Sequence, residues 1–161
     1  MFWAKLPTGR IPGQGPNPKV SLQSGQVALG DERSCNVIVG SGIDVIETGR
    51  LERELKRASW QARQGIFTAA ELHYLDHRRK PALLYAAFFA AKEATLKALG
   101  VEVLNLAYFS EIEILPDPSG NWSLTLHDRT LSRCNQLGVR RKHVALTPGK
   151  TFSSAAVVLE S

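Results

Sequence analysis

The sequence is poor in cysteine and has no long apolar run. Cys35 and Cys134 lie far apart, and neither belongs to a CxxC or cysteine–histidine spacing, so a zinc site has no support. Two free thiols in a reducing compartment fit this pattern best, although a single disulfide stays open. No apolar stretch approaches the ~18–20 residues that cross a bilayer, which excludes a membrane-spanning role. Prolines and glycines stand where a secretory signal is apolar, and we expect a cytoplasmic protein.

Acidic residues are outnumbered by basic ones. The 161 residues include 20 lysines and arginines but 15 aspartates and glutamates, which leaves a net charge of +5. This charge favours an anionic partner, namely nucleic acid, a phosphorylated small molecule or an acidic protein. The basic residues do not alternate with aromatics, and no segment resembles a reading helix, so we expect no nucleic-acid partner and no membrane partner.

The length fits one domain of ~100–150 residues with a tail. Residues 1–34 hold four prolines and several glycines without an amphipathic period, and we expect a flexible extension there. The folded domain is predicted to cover residues 35–161.

The first predicted elements of this domain are a strand and a helix. The β-branched run 36–47 predicts a strand that carries Asp44 among its apolar residues. Thr48 is the expected N-cap of a basic helix that ends near Gln64, before Gly65.

The next helices have clear end signals. Thr68 and Glu71 have the spacing of a capping box, which predicts a short helix after them. Pro81 opens the longest predicted helix, 82–99, and Gly100 ends it.

The C-terminal half changes to strand-like patterns. Strands are predicted at 109–115, 122–127, 140–146 and 155–160, with a short helix at 129–137. The order β-α-α-α-β-β-α-β-β predicts an α+β fold as a single unit, with a largely antiparallel sheet packed on one long helix.

Two carboxylates stand in apolar surroundings. Glu93 and Lys97 lie four residues apart on the long helix, so an exposed ion pair worth ~0.2–0.5 kcal/mol is one interpretation. However, this helix is too apolar for a broad exposed face, and Asp44 also stands where a buried strand needs an apolar residue. A buried carboxylate is costly without a partner or a metal. Two carboxylates beside an ammonium group suit Mg²⁺ and a bound diphosphate.

Four sequence blocks resemble those of the 4′-phosphopantetheinyl transferases, of the short holo-acyl-carrier-protein synthase type. The blocks are GIDVIETGR (42–50), IFTAAEL (66–72), FAAKEATLKALG (89–100) and HVALT (143–147). The resemblance covers about residues 37–161 and implies the 4′-phosphopantetheinyl transferase-like fold. It also implies a reaction, the transfer of phosphopantetheine from coenzyme A to a serine of an apo acyl or peptidyl carrier protein, which leaves 3′,5′-ADP.

The resemblance further implies roles for the charged cluster. Asp44 and Glu93 match the ligands of a Mg²⁺ ion that binds the coenzyme A diphosphate, and Lys97 matches a lysine that contacts this diphosphate. All three are therefore expected catalytic residues. Phosphoryl-type transfer relies on positioning and charge neutralisation, which agrees with this set. Either Glu93 or a water molecule is the expected acceptor of the serine proton.

Other positions match substrate contacts of the family. Gly100, His143 and Thr147 are expected at the coenzyme A site, and Arg50 and Arg57 on a helix that docks the acidic carrier. A single unit of this size offers little surface to enclose a coenzyme. The short family members are similar to a two-unit arrangement made from separate subunits, so we expect a homotrimer with sites between subunits.

The sequence departs from the family pattern near the coenzyme site. Glu102 replaces a glycine, Phe88 replaces a basic residue, and Leu104 and Leu106 replace an R-N-G segment. We expect these changes to reshape the walls of the site. A dedicated enzyme for a specialised carrier is the favoured explanation. The alternative is a weak or inactive family member that acts as a carrier-binding subunit.

Overall fold

The computed structural model describes residues 37–101 and 106–161. The expected extension at 1–34 lies outside this part of the chain, as do Cys35, Glu102 and Leu104. The elements in chain order are β1 Ile38–Glu47, α1 Thr48–Arg57, α2 Trp60–Gln64, α3 Ala69–Asp76, α4 Pro81–Leu99, a 3-10 helix Leu106–Glu111, β2 Ile112–Pro116, β3 Trp122–Leu126, α5 Asp128–Gln136, β4 Arg141–Thr147 and β5 Phe152–Glu160.

The strands form two antiparallel sheets. One sheet has the order β1-β5-β4, and the other is the β2-β3 hairpin. In the larger sheet Asp44 pairs with Ala155, and His143 pairs with Val158. The α+β prediction is confirmed, although the expected single sheet is divided into two.

Helix α4 is the centre of the core, and β1 crosses it closely. A Cβ atom at Gly40 or Gly42 would overlap the carbonyl oxygen of Ala98 or Ala94, so only glycine allows this approach. The helix begins with Pro81 and ends at Gly100, whose φ of 66° is left-handed. Both end signals were predicted from the sequence. Because β1 lies against α4 at Ala94 and Ala98, a side chain on β1 that faces the helix meets its last two turns.

The larger sheet has one buried and one exposed face. Side chains alternate along a strand, so Asp44 faces α4 while its neighbours Ile43 and Val45 point away. These two side chains are 68% and 57% exposed, which leaves an apolar outer face on the sheet. No helix within 37–101 and 106–161 is long and apolar enough to cross a bilayer.

The helix predicted up to Gln64 is interrupted. Helix α1 ends at Arg57, and Ser59 begins α2 by accepting a 3.2 Å hydrogen bond from the Ala62 amide. The interruption deprives the Leu55 carbonyl of its helical hydrogen-bond donor. The Arg63 guanidinium donates to this carbonyl instead. The prediction of one continuous helix was therefore wrong.

Two further predictions need correction. Thr48 is not an N-cap, because its hydroxyl donates a 2.7 Å hydrogen bond to the Gly149 carbonyl. The strand expected from 109 begins at Ile112, after the 3-10 helix. The Lys92 ammonium group donates to the carbonyls of Phe109 and Ile112, which draws this segment towards α4 before the hairpin begins. The capping box of Thr68 and Glu71 is confirmed.

Candidate active site

Asp44 and Lys97 form the first ion pair of the site. Strand β1 directs Asp44 towards α4, where the Lys97 ammonium group lies 2.7 Å from Asp44 Oδ1. Lys97 also donates a 3.1 Å hydrogen bond to the Ile43 carbonyl. The Asp44 side chain is 10% exposed and that of Lys97 is 44% exposed, so the lysine is accessible from solvent while the aspartate is enclosed.

The second carboxylate oxygen of Asp44 has no partner in the part of the chain that the structure describes. Among the described residues, Asp44 Oδ2 is the buried side-chain oxygen or nitrogen that lacks a hydrogen bond. Buried polar atoms are almost always satisfied, and an unsatisfied charged atom is costly. The position of this oxygen fits a site that receives a cation.

Glu93 lies one turn before Lys97 and beside Asp44. Partial burial, followed by the negative charge of Asp44 and a hydrogen bond of the protonated side chain to Asp44, raises the pKa of Glu93 to about 7, and the charge of Lys97 opposes this rise. Two carboxylates that repel each other in this way are stabilised by a cation between them. The structure thus brings together the three residues that the sequence selected as Mg²⁺ ligands and phosphate contact.

The candidate ligands fit Mg²⁺ better than a metal ion that takes all of its ligands from the protein. No group of three or more histidine, cysteine, aspartate or glutamate side chains within the described ranges is arranged to hold a metal. The site offers two carboxylates, Asp44 and Glu93. Mg²⁺ is usually bound by one or two carboxylates together with water and substrate phosphates.

Two clefts flank the charged cluster. The first has a volume of about 320 Å³ and lies between β1, α1 and α4, and its lining includes Glu93, Phe89 and Arg50. The second has a volume of about 280 Å³ and lies between the start of β1, the end of α4 and α5, and its lining includes Lys97 and Gly100. Lys97 and Glu93 therefore face different clefts, and ligand groups can approach the cluster from both sides.

Arg133 lines the second cleft, and the sequence did not select it. It lies on α5, and its Nε donates a 3.0 Å hydrogen bond to the Leu99 carbonyl at the end of α4. In the sequence it is one of several basic residues in a short polar helix. No spacing or motif sets it apart from them.

His143 and Thr147 do not meet the charged cluster within one chain. Both belong to β4 and are exposed on the outer face of the larger sheet. The His143 imidazole lies 3.1 Å from Glu160 Oε2. Asp44 faces the opposite side of the sheet, so these residues can serve one site only if different chains contribute them.

The α1 surface is less basic than the sequence suggested. Three of its four basic side chains pair with glutamates: Arg50 with Glu54 at 2.9 Å, Arg53 with Glu47 at 3.7 Å and Lys56 with Glu52 at 2.7 Å. Arg57 has no ion pair within the described part of the chain. The exposed face of α1 thus carries both basic and acidic side chains, with Arg57 unpaired among the described residues.

Lys92 has a different function from its neighbour Glu93. It is fully buried, and its ammonium group lies 2.8 Å from the Glu71 carboxylate. Glu71 also accepts 2.8 Å hydrogen bonds from the amides of Thr68 and Ile114. Burial raises the pKa of Glu71 and lowers the pKa of Lys92, while their mutual attraction favours the charged pair. This pair links α3, α4 and β2 beneath the site.

Phe88 is a core residue. It is fully buried, with its ring 6.1 Å from that of Tyr74 and 5.4 Å from that of Trp122. The expectation that Phe88 reshapes the coenzyme site was wrong, because this position faces the smaller sheet and not the clefts.

Comparisons with known proteins agree with the fold and the sequence blocks. The family model of the 4′-phosphopantetheinyl transferase superfamily matches residues 40–148. The holo-[acyl-carrier-protein] synthase of Pseudoalteromonas atlantica is 36% identical over 124 residues, which cover 77% of this chain and 98% of that protein.

Solved structures extend the similarity to the tertiary level. The holo-[acyl-carrier-protein] synthase of Neisseria meningitidis superposes with a TM-score of 0.68 and 28% identity, covering 78% of this chain and 100% of that chain. The Bacillus anthracis enzyme of the same name, solved in complex with CoA (3′,5′-ADP), gives a TM-score of 0.63 and 31% identity, covering 77% of this chain and 97% of that chain.

Proposed function

Because the chain belongs to the 4′-phosphopantetheinyl transferase superfamily, we propose that it transfers the 4′-phosphopantetheine group of coenzyme A to a serine of an apo acyl carrier protein. The products are the holo carrier and 3′,5′-ADP. The observation that carries the proposal is the cluster of Asp44, Glu93 and Lys97, in which one buried carboxylate oxygen has no partner among residues 37–101 and 106–161. Such a cluster is suited to a cation and a diphosphate, the two components that this reaction requires.

Asp44 and Glu93 would hold a Mg²⁺ ion. When bound, this ion neutralises negative charge on the diphosphate oxygens. The repulsion that raises the pKa of Glu93 and the unsatisfied Asp44 Oδ2 both support a cation at this position.

Lys97 is the proposed contact for the diphosphate of the coenzyme. Its ammonium group is anchored by Asp44 and the Ile43 carbonyl, yet 44% of the side chain is exposed. An ammonium group held in this way needs little reorganisation to meet the negative charge that develops on the leaving 3′,5′-ADP.

The serine hydroxyl of the carrier attacks the phosphorus that bears pantetheine. A new Ser Oγ–P bond forms, the P–O bond to the 3′,5′-ADP group breaks, and the leaving group keeps the electron pair. Either Glu93 or a water molecule accepts the serine proton.

The proposed docking surface for the acidic carrier is the exposed side of α1. Arg57 supports this proposal because it has no ion pair among the described residues. Arg50 lines the cleft of Glu93, so a carrier bound there would have its serine near the cluster. Attraction of this kind weakens as salt screens the charges.

The proposed assembly is a homotrimer with active sites between subunits. The exposed Ile43 and Val45 support an interface on the outer face of the larger sheet. His143 and Thr147 lie on the same face, so an interface there would bring them to a neighbouring subunit. The proposed compartment is the cytoplasm, and the buried free thiol of Cys134 is compatible with its reducing conditions.

Mass spectrometry of the carrier tests the proposed function. The protein is incubated with apo acyl carrier protein, coenzyme A and Mg²⁺, and the carrier is weighed. We expect the carrier to gain one phosphopantetheine, and we expect a chelator, Asp44→Ala or Glu93→Ala to abolish the gain. Carrier binding without a mass change would contradict the enzyme and support the carrier-binding alternative.

A further inference from the structure

Arg133 is a cation with donors that have no partner among the described residues. Its Nε donates to the Leu99 carbonyl at 3.0 Å, and the side chain is half-buried. Within the described residues its two terminal nitrogens have no hydrogen-bond acceptor and no carboxylate partner. Guanidinium groups usually form several hydrogen bonds when they are partly buried, so this side chain is poised to bind an anion.

The surroundings of Arg133 also favour an anion. It shares the cleft of about 280 Å³ with Lys97, Gly100, Gly40 and Ser41, and none of the described residues that line this cleft is acidic. One terminal nitrogen of Arg133 lies 3.7 Å from the position that a Cβ atom would occupy at Gly100. The absent side chain at Gly100 therefore leaves space beside the guanidinium group.

We propose that Arg133 is a phosphate-binding residue of the coenzyme site, which holds a phosphoryl group of coenzyme A in the cleft between the end of α4 and α5. This inference rests on the proposed function. Lys97 connects the cleft to Asp44, so a coenzyme with its diphosphate at Lys97 places phosphate oxygens next to the cleft. A planar guanidinium group fits phosphate oxygens in a bidentate manner, which an ammonium group cannot do.

A purely structural role makes a different prediction. The Leu99 carbonyl belongs to the last turn of α4, where a cation stabilises the unpaired carbonyls of a helix. If this were the whole role of Arg133, its replacement would lower the unfolding temperature and leave coenzyme binding unchanged. The two roles are separated by measuring binding and stability on the same variants.

Titration calorimetry with coenzyme A and Mg²⁺ provides the test. We expect Arg133→Gln to weaken binding by about 10- to 100-fold, the usual effect of losing a hydrogen-bonded charge. Arg133→Lys should fall between Arg133→Gln and the unchanged protein, because it keeps the charge without the bidentate geometry. Arg140→Gln is the matched control, since it removes one charge from an exposed position just after α5 and should bind normally.

A second ligand identifies the phosphate group. With 3′-dephospho-coenzyme A, the effect of Arg133→Gln disappears if the residue holds the 3′-phosphate and persists if it holds the diphosphate. Either result supports a phosphate contact. Equal affinities for the Arg133→Gln variant and the unchanged protein overturn the inference. If coenzyme A binding depends on Arg133 but no phosphopantetheine is transferred, the proposed function is wrong and the inference about Arg133 stands. A protein that does not bind coenzyme A contradicts both.

Discussion

The ammonium group of Lys92 lies 2.8 Å from the carboxylate of Glu71, and both side chains are fully buried. The pair joins the capping box of α3 to the helix that carries Glu93. Its position explains why a long apolar helix contains two adjacent charged residues: one pairs inside the core and the other faces the site.

Loss of one member of this pair should destabilise the fold. Lys92→Met leaves the Glu71 carboxylate buried with its amide partners alone, and we expect a loss of about 3–5 kcal/mol in the free energy of unfolding. The double variant Glu71→Gln/Lys92→Met removes both charges and should lose less than the two single changes together. Urea denaturation measures these values. Additive losses would show that the two residues do not interact.

Lys97→Met should impair transfer without unfolding the protein. Lys97 is the only cationic side chain among the described residues that forms an ion pair with Asp44. Because the change removes this charge, we expect a decrease in kcat of about 100-fold or more. Lys150→Met is the control, because it removes an exposed lysine between β4 and β5 that lines neither cleft. Steady-state kinetics with the apo carrier check the result. Normal kcat in Lys97→Met would remove this lysine from the proposed mechanism.

The raised pKa of Glu93 predicts a pH-dependent stability in the metal-free protein. Since this pKa rises to about 7 on folding, the protonated side chain stabilises the fold below the unfolded value of 4.5. This contribution is lost as the pH rises from 4.5 towards 7, and it stays lost at higher pH. Unfolding temperatures in the presence of a chelator should therefore fall over this interval.

Glu93→Gln provides the comparison for this measurement. The variant cannot titrate at position 93, so its decline over the same interval should be smaller. Added Mg²⁺ should raise the unfolding temperature of the unchanged protein near pH 8 and have little effect on the variant. Parallel pH profiles for the two metal-free proteins would contradict the predicted titration.

Gly42→Ala should disturb both the fold and the site. A Cβ atom at this position would overlap the Ala94 carbonyl, so β1 must move away from α4 and carry Asp44 with it. We expect a loss of about 1–3 kcal/mol in stability together with weaker Mg²⁺ binding.

Gly49→Ala is the matched control for this change. At Gly49 the nearest atom to an added Cβ is the flexible end of Arg53, at 3.4 Å, and the residue lies in α1. Alanine there should be neutral or slightly stabilising. Thermal unfolding measures both variants, and equal stability of the two would contradict the close approach of β1 to α4.

Ile43→Lys should separate the proposed trimer. The side chain is 68% exposed in the single chain, so the fold should tolerate lysine, whereas a subunit interface on this face should not. Light scattering should report a trimer for the unchanged protein and for Ile43→Val, and a monomer for Ile43→Lys. A trimeric Ile43→Lys variant would place the interface elsewhere.

The sequence alone determined the features that depend on local chemistry. The capping box of Thr68 and Glu71 and the ends of α4 at Pro81 and Gly100 follow from backbone preferences within a few residues. Asp44 and Glu93 were also selected as candidates from the sequence, because carboxylates among apolar residues are conspicuous and the surrounding blocks resemble a known family.

Only the tertiary structure decided which charged residues meet. Asp44 and Lys97 are separated by 53 positions in the chain, and their contact depends on β1 crossing α4 at Gly40 and Gly42. Arg133 reaches the same region because α5 packs beside the end of α4. Lys92 and Glu93 are adjacent in the chain, but the rotation of about 100° per residue in a helix sends one into the core and the other to the site. These contacts depend on which side chains are buried and on residues that are distant in the chain. A sequence pattern among neighbouring residues carries no information on either.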